Sequence, residues 1–318
     1  MRGRKNRIYR EGCAHHLYLK ALDGTVLFYR TEDFIFYLTL LYVLAKRYGI
    51  GIEALCIMFN HTHCFVKPVS CSVFEAFRRD LQRIFSFVHN KEYGESGPLM
   101  MPSGYAPKSS QKSILSCLIY ILNNPVSGKL TSRAVDYKWN LLAYTVSDHP
   151  FSERLVKRNS SSRMRRALKI IDACFNKGLY LDYARQRQIY RGLNPKEKTQ
   201  AVDYLVNKYN PVDKGSMEAR FGSFETALRA MDSTTGTEHD IAEPWEDYSI
   251  YAKMLRLSLR SGINLHGFRF NEIPENDLIQ LVQQLLSVPN STIVHLRRFL
   301  RLPLSPELTL TVFCKGLI

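Results

Sequence analysis

Two short apolar runs, residues 52–58 and 61–67, meet at Phe59-Asn60 and read as adjacent strands. The second carries His61 and His63, one residue apart. In a β-strand residues i and i+2 face the same side, so the two imidazoles project together while Thr62 and Cys64 turn away. Two same-face imidazoles can hold one divalent cation and leave positions for an oxygen ligand, water and substrate. A lone His-x-His pair is usually an ordinary polar strand face. It gains meaning only with a third ligand and a reactive group elsewhere.

Both are found downstream. Residues 113–124 (SILSCLIYILNN) form an apolar segment long enough for a helix with one buried face, and Pro125 is expected to stop it. Tyr120 and Asn124 lie four apart, so a helix stacks the phenol and the amide on one face. With 18 tyrosines in the chain, position rather than residue type singles out Tyr120.

Residues 13–22 read as a first strand, on which the adjacent His15 and His16 face opposite sides. At most one of them can approach a metal, and packing or hydrogen bonding is the expected role. Thr31 opens a helix to Tyr48, with Glu32 and Asp33 in its first turn and Gly49 and Gly51 closing it. Residues 70–91 form a second amphipathic helix with Arg78, Arg79 and Arg83 on its polar side. Strand–helix–strand–strand–helix is the order of a ferredoxin-like sheet, although periodicity alone supports only an α+β class. The Gly/Pro/Ser-rich stretch 94–113 is expected to be a mobile loop, either a plain connector or a flap over the site.

Three segments together resemble the single-tyrosine HUH transposases, specifically the REP-associated tyrosine transposase branch. Met58-Phe59-Asn60-His61-Thr62-His63 is similar to that family's Met-Pro-Asn-His-hydrophobe-His metal motif. Tyr120-Ile121-Leu122-Asn123-Asn124-Pro125-Val126 matches its Tyr-Ile-x-x-Asn-Pro-Val nucleophile motif, and Asp136-Tyr137-Lys138-Trp139 its Asp-Tyr-x-Trp element. Order and spacing agree over roughly residues 1–145. Thr62 replaces a bulky hydrophobe and Phe59 a proline; the Thr62 exchange, on the far side of the strand from the histidines, alters packing behind the site. The family's Gly-x-Leu-Phe-Gln-x-Arg element is missing, and residues 92–107 stand in its place. The resemblance implies a ferredoxin-like HUH nuclease domain with His61 and His63 on a central strand, followed here by a mainly helical C-terminal region.

The resemblance further implies metal-assisted transesterification of single-stranded or hairpin DNA. His61, His63 and Asn124 would hold Mg²⁺ or Mn²⁺, and Tyr120 would attack as phenolate to form a covalent 5′-phosphotyrosine. A free tyrosine has a pKa of about 10, and a nearby cation favours its ionised form. Tyr137 and Tyr144 are the next candidates for nucleophile. One tyrosine per motif is compatible with a homodimer or a monomer. Two other readings stand beside this one: a DNA-binding regulator that keeps the fold without cutting, and an HUH relaxase or replication initiator.

Charge agrees with a polyanionic partner. The 318 residues, 45% hydrophobic and 23% charged, carry a formal net charge of +15. Residues 1–150 hold 19 Lys and Arg against 11 Asp and Glu, residues 151–200 hold 13 against 4, and residues 201–318 hold 12 against 14. The excess therefore lies in the first two-thirds, where nucleic acid is the simplest partner. Candidate DNA contacts are Arg4, Lys5 and Arg7 near the start, Arg78, Arg79 and Arg83, Lys112, and Arg163, Arg165 and Arg166 in the run RLVKRNSSSRMRR.

Seven cysteines without a CxxC pair argue against a disulfide framework. A structural zinc site using Cys56, Cys64 or Cys71 ranks below the catalytic reading. No signal peptide or membrane span is expected, which suggests a cytoplasmic, nucleoid-associated bacterial protein. Three parts are expected: a nuclease domain over 1–150, a basic linker and helix over 151–200, and a helical region over 201–318. In the last, residues 276–286 and 291–302 are spaced like a helix-turn-helix, with Arg297, Arg298 and Arg301 on the second helix.

Overall fold

Four strands form the centre of the molecule: β1 (Ala14–Lys20), β2 (Gly51–Ile57), β3 (His61–Lys67) and β4 (Gly104–Lys108). They make one antiparallel sheet in the order β2-β3-β1-β4. Helix α1 (Thr31–Tyr48) connects β1 to β2, and α2 (Cys71–Tyr93) connects β3 to β4. This is the ferredoxin-like order, and the α+β reading holds. The computed structural model describes residues 7–212, 214–233, 246–261 and 275–301; Arg4, Lys5 and most of the acidic stretch 233–247 lie outside them.

One face of the sheet is covered by α1 and α2. Leu17, Leu19 and Cys64 are fully or almost fully buried with Phe36, Phe77 and Phe85, and each such side chain contributes about 1.5–3 kcal/mol. Thr62 points to this side, its hydroxyl 2.7 Å from that of Tyr37. Helix α1 begins where the Asp33 carboxylate accepts from the N–H groups of Tyr29 and Arg30 at 2.9 and 2.8 Å. The buried Asp33 also accepts from the hydroxyls of Tyr93 and Tyr183. The helix ends at Gly49, whose φ of 62° is the left-handed cap that glycine adopts without penalty.

Helix α3 (Gln111–Ser127) packs on the opposite face, with Ser110 capping its start. It does not stop before Pro125, as the sequence suggested, but carries that proline inside its last turn. Only one i→i−4 bond is lost so near the end, and the N–H of Gly128 still reaches the carbonyl of Asn124 at 2.8 Å. The stretch 94–113 is also not wholly loop, since it contains β4. Gly104 lies opposite Tyr18, and a Cβ there would sit 2.0 Å from Tyr18 Cζ. The glycine lets the Tyr18 ring cross the edge strand, and Pro107 is tolerated because β4 is an edge.

Beyond the sheet come α4 (Ser162–Asn176), α5 (Tyr183–Tyr190), α6 (Pro195–Lys208), α7 (Lys214–Phe221), α8 (Phe224–Asp232), α9 (Ser249–Arg260), α10 (Glu275–Leu286) and α11 (Ile293–Leu300). A continuous apolar core joins them to the sheet, from Leu17 to Leu300. Gln186 on α5 donates to the carbonyl of Glu32 at 2.9 Å, and Asn123 on α3 donates to the carbonyl of Met231 on α8. The end of α11 meets the segment between β1 and α1: Val26 N–H donates to Arg298 O at 3.0 Å, and Arg301 Nε to Val26 O at 2.8 Å. Among the described residues, no helix is long and apolar enough to cross a membrane.

Candidate active site

On the sheet face toward α3, the register sets Lys20 opposite His61 and Tyr18 opposite His63. His61 and His63 have ring centroids 4.9 Å apart, and both are buried. The half-buried Tyr120 ring lies 5.2 Å from that of His63. Asn124, one turn on, donates from its amide nitrogen to the carbonyl of Tyr120 at 3.0 Å. The motif residues thus converge from a strand and a helix that are distant in sequence.

Hydrogen bonds orient the imidazoles. Asn60 Nδ2 donates to Gly24 O at 3.1 Å, which turns Asn60 Oδ1 to accept from His61 Nδ1 at 2.8 Å. In the neutral tautomer that donates there, the lone pair of His61 is on Nε2. That atom is 3.3 Å from Asn124 Oδ1, itself an acceptor because the Asn124 nitrogen is committed to Tyr120 O. In that tautomer the pair suits a shared cation, since ligands about 2.1 Å from a magnesium-sized ion and at right angles stand about 3 Å apart; with Nε2 protonated, the same contact is a hydrogen bond to Oδ1. His63 Nδ1 lies 3.0 Å from Nε2 of the buried His16. When His63 donates in that pair, its Nε2 carries the lone pair, in the same sense as His61. Metal-binding histidines usually donate their second nitrogen to a carboxylate, a carbonyl or water, and here the His16 imidazole stands in that place.

The donor set of two imidazole nitrogens and an amide oxygen therefore fits a divalent cation. Among the described residues, no group of three or more His, Cys, Asp and Glu side chains gathers to hold a metal. The oxygen donor thus matters to the set. Thr62 and Cys64 face the other side of the sheet, away from it.

Three neighbours were not singled out by sequence. His16 lies on the site side, its ring 5.7 Å from Tyr120, while His15 stacks on Tyr9 at 4.8 Å on the other side. Burial lowers the His15 pKa. The period of two separates these histidines, but only the pairing with β3 says which one faces the site. Lys20 joins the site through the same register. Tyr248 has no sequence signal: it comes from the start of α9, and its hydroxyl is 3.4 Å from His61 Nδ1. Tyr137 and Tyr144, the other candidate nucleophiles, are buried and donate to Ile57 O and Asp203, both at 2.7 Å. Burial raises both phenol pKa values.

The basic residues divide into two groups. Arg78 is not on an open polar side: it is buried, donating to Ser103 Oγ and paired with Glu75. Arg79 and Arg83 are exposed beside a cleft of about 650 Å³ that Met101 and Pro102 also line. Arg7 donates to Ser103 O at 2.9 Å. Lys112 is exposed in the first turn of α3, and Arg163, Arg165 and Arg166 are exposed on α4. Arg298 pairs with Glu246 at 2.7 Å, Arg301 is turned inward onto Glu95, and Arg297 lines a cleft beside His61.

No protein-family model and no curated protein matches the chain. A solved structure described as a REP-associated tyrosine transposase bound to a REP hairpin is similar to 49% of this chain and 93% of its own, at 14% identity and a TM-score of 0.39.

Proposed function

We propose that the protein is a metal-dependent single-stranded DNA endonuclease and strand transferase. It would cleave and rejoin DNA at hairpin or palindromic repeat sites through a covalent 5′-phosphotyrosine on Tyr120. The observation that carries this reading is the approach of His61 Nε2 to Asn124 Oδ1, 3.3 Å apart and one helical turn from Tyr120. His61, His63 and Asn124 would hold Mg²⁺ or Mn²⁺, which as a Lewis acid would supply polarisation of a phosphate oxygen.

The remaining work falls to the chain. Asn60 orients His61, and His16 orients His63, so neither ring must reorganise when the site is filled. Nucleophile and amide share one helix and therefore keep their spacing as a unit. Tyr120 is only part-buried, as a residue that must meet a strand has to be. In the transfer, Tyr120 Oη gives up its proton and bonds to phosphorus, the bond from phosphorus to the 3′ oxygen breaks, and that oxygen takes up a proton. Attack by a 3′ hydroxyl reverses the step and rejoins the strand without an external energy source.

The test uses labelled hairpin oligonucleotides copied from palindromic repeats flanking the gene, with and without Mn²⁺. A metal-dependent covalent adduct on a denaturing gel is expected. Equal cleavage in excess chelator, or no adduct with any such hairpin, contradicts the proposal.

A further inference from the structure

Beside His61 a cleft of about 410 Å³ runs between the sheet and the C-terminal helices. Its floor is Lys20, Asn60 and His61, and its far wall is Tyr248, Arg297 and Arg298. The far wall is built in. Tyr248 N–H donates to Gly128 O at 3.0 Å, just past the end of α3, and Lys129 pairs with Asp247 at 3.2 Å. A Cβ on Gly128 would lie 2.8 Å from Tyr248 Cδ2 and 3.1 Å from Met58 Cε, so the glycine makes the seat for the ring. The ring is only part-buried and stands 5.4 Å from that of His61.

Arg298 and Glu246 neutralise each other across 2.7 Å. Among the described residues, Arg297 also lines the cleft. An aromatic ring beside an arginine, opening on the candidate metal ligand, is the chemistry that holds a nucleotide of a single strand: the base stacks and the phosphate is paired.

We infer that this cleft is a nucleotide subsite, in which Tyr248 stacks a base next to the scissile phosphate while Arg297 pairs with its backbone. On this inference the C-terminal region completes the substrate channel. The inference rests on the proposed function, because the occupant is taken to be the strand being cut.

Two readouts test it on the full-length chain. In the first, a short oligothymidine carrying 5-iododeoxyuridine is photo-crosslinked to the protein and the modified peptide identified by mass spectrometry. Attachment at Tyr248 is expected. In the second, oligothymidine affinity is measured by fluorescence anisotropy. Tyr248→Ala should weaken binding about 5- to 100-fold, the range for loss of one base stack. Tyr248→Phe, which keeps the ring, should recover most of that loss. Arg297→Gln should weaken binding and reduce the slope of log affinity against log salt by about 0.7, one phosphate contact on a single strand. Melting temperatures separate loss of the subsite from loss of the fold.

If the protein binds and cleaves DNA but crosslinks elsewhere, and Tyr248→Ala and Arg297→Gln bind as the wild type does, the subsite is wrong and the proposed function stands. If the protein neither binds nor cleaves single strands, the proposed function fails and the subsite fails with it.

Discussion

Across 3.3 Å, Nε2 of His61 faces the amide oxygen of Asn124 in a contact that either a proton on Nε2 or a shared cation can bridge. It ties the strand motif to the helix motif more directly than either motif does alone.

Metal binding should follow from this pair. His61→Ala and His63→Ala should each abolish Mn²⁺ binding measured by calorimetry or electron paramagnetic resonance. Asn124→Ala should cost less, on the order of tenfold, because water can replace a neutral amide ligand. His16→Phe removes only the partner of His63 and should weaken binding about 10- to 100-fold, as losses behind a ligand do. Unaltered Mn²⁺ affinity in the two histidine variants would remove the metal from this site.

Much of this was legible because it is local. The bounds of α1 followed from its caps, and the shared face of His61 and His63 followed from strand alternation. The 3.6-residue helical period, applied to α2, places Arg78 in line with Phe74, Phe77, Leu81 and Phe85, so its burial was available from spacing. Strand β4 was hidden because Gly104 and Pro107 look like loop residues until Tyr18 and an edge position explain them. The facing of His16 needed the register with β3. The arrival of Tyr248 at His61 depends on tertiary packing alone, and nothing within residues 246–261 announces it.

Stability should depend strongly on Asp33. It is fully buried and joins Tyr29 and Arg30 at the start of α1 to Tyr93 on α2 and Tyr183 on α5. Asp33→Ala removes one of the two carboxylates that pair with the buried Arg30 guanidinium, Asp33 at 3.5 Å and Glu92 at 3.4 Å, and leaves the Tyr93 and Tyr183 hydroxyls without their acceptor; it should cost about 3–5 kcal/mol. Tyr183→Phe removes one hydrogen bond and should cost about 0.5–1.5 kcal/mol. Urea denaturation of the two variants measures both, and a cost below about 1 kcal/mol for Asp33→Ala would contradict the account.

Acid should destabilise the fold through His89. Burial, and then the Arg301 guanidinium, hold its pKa well below the ordinary value. The unfolded chain takes up a proton near pH 6.5 that the folded protein refuses. The contribution of His89 is therefore complete above about pH 6.5 and is lost as pH falls toward the depressed folded value, by up to about 1.4 kcal/mol per unit. His89→Gln should show a smaller drop in melting temperature between neutral and mildly acid buffer than the wild type does. An identical drop in both would place the acid sensitivity elsewhere.

The exposed arginines of α4 should act through phosphates. Replacing Arg163, Arg165 and Arg166 together by glutamine should lower the slope of log affinity against log salt by about 2, at about 0.7 per phosphate contact on a single strand. An unchanged slope would make them a solvated face.

The central claim is that Tyr120 is the nucleophile. The direct measurement digests the protein–DNA adduct with protease and nuclease and locates the residual nucleotide by mass spectrometry, in the wild type and in Tyr120→Phe. The account predicts a 5′-phosphate ester on Tyr120 in the wild type and no adduct in the variant, with strand binding kept within about twofold because only the hydroxyl is lost. An adduct on any other residue, such as the part-buried Tyr18 or Tyr248 beside the histidines, or an undiminished adduct in Tyr120→Phe, would contradict it.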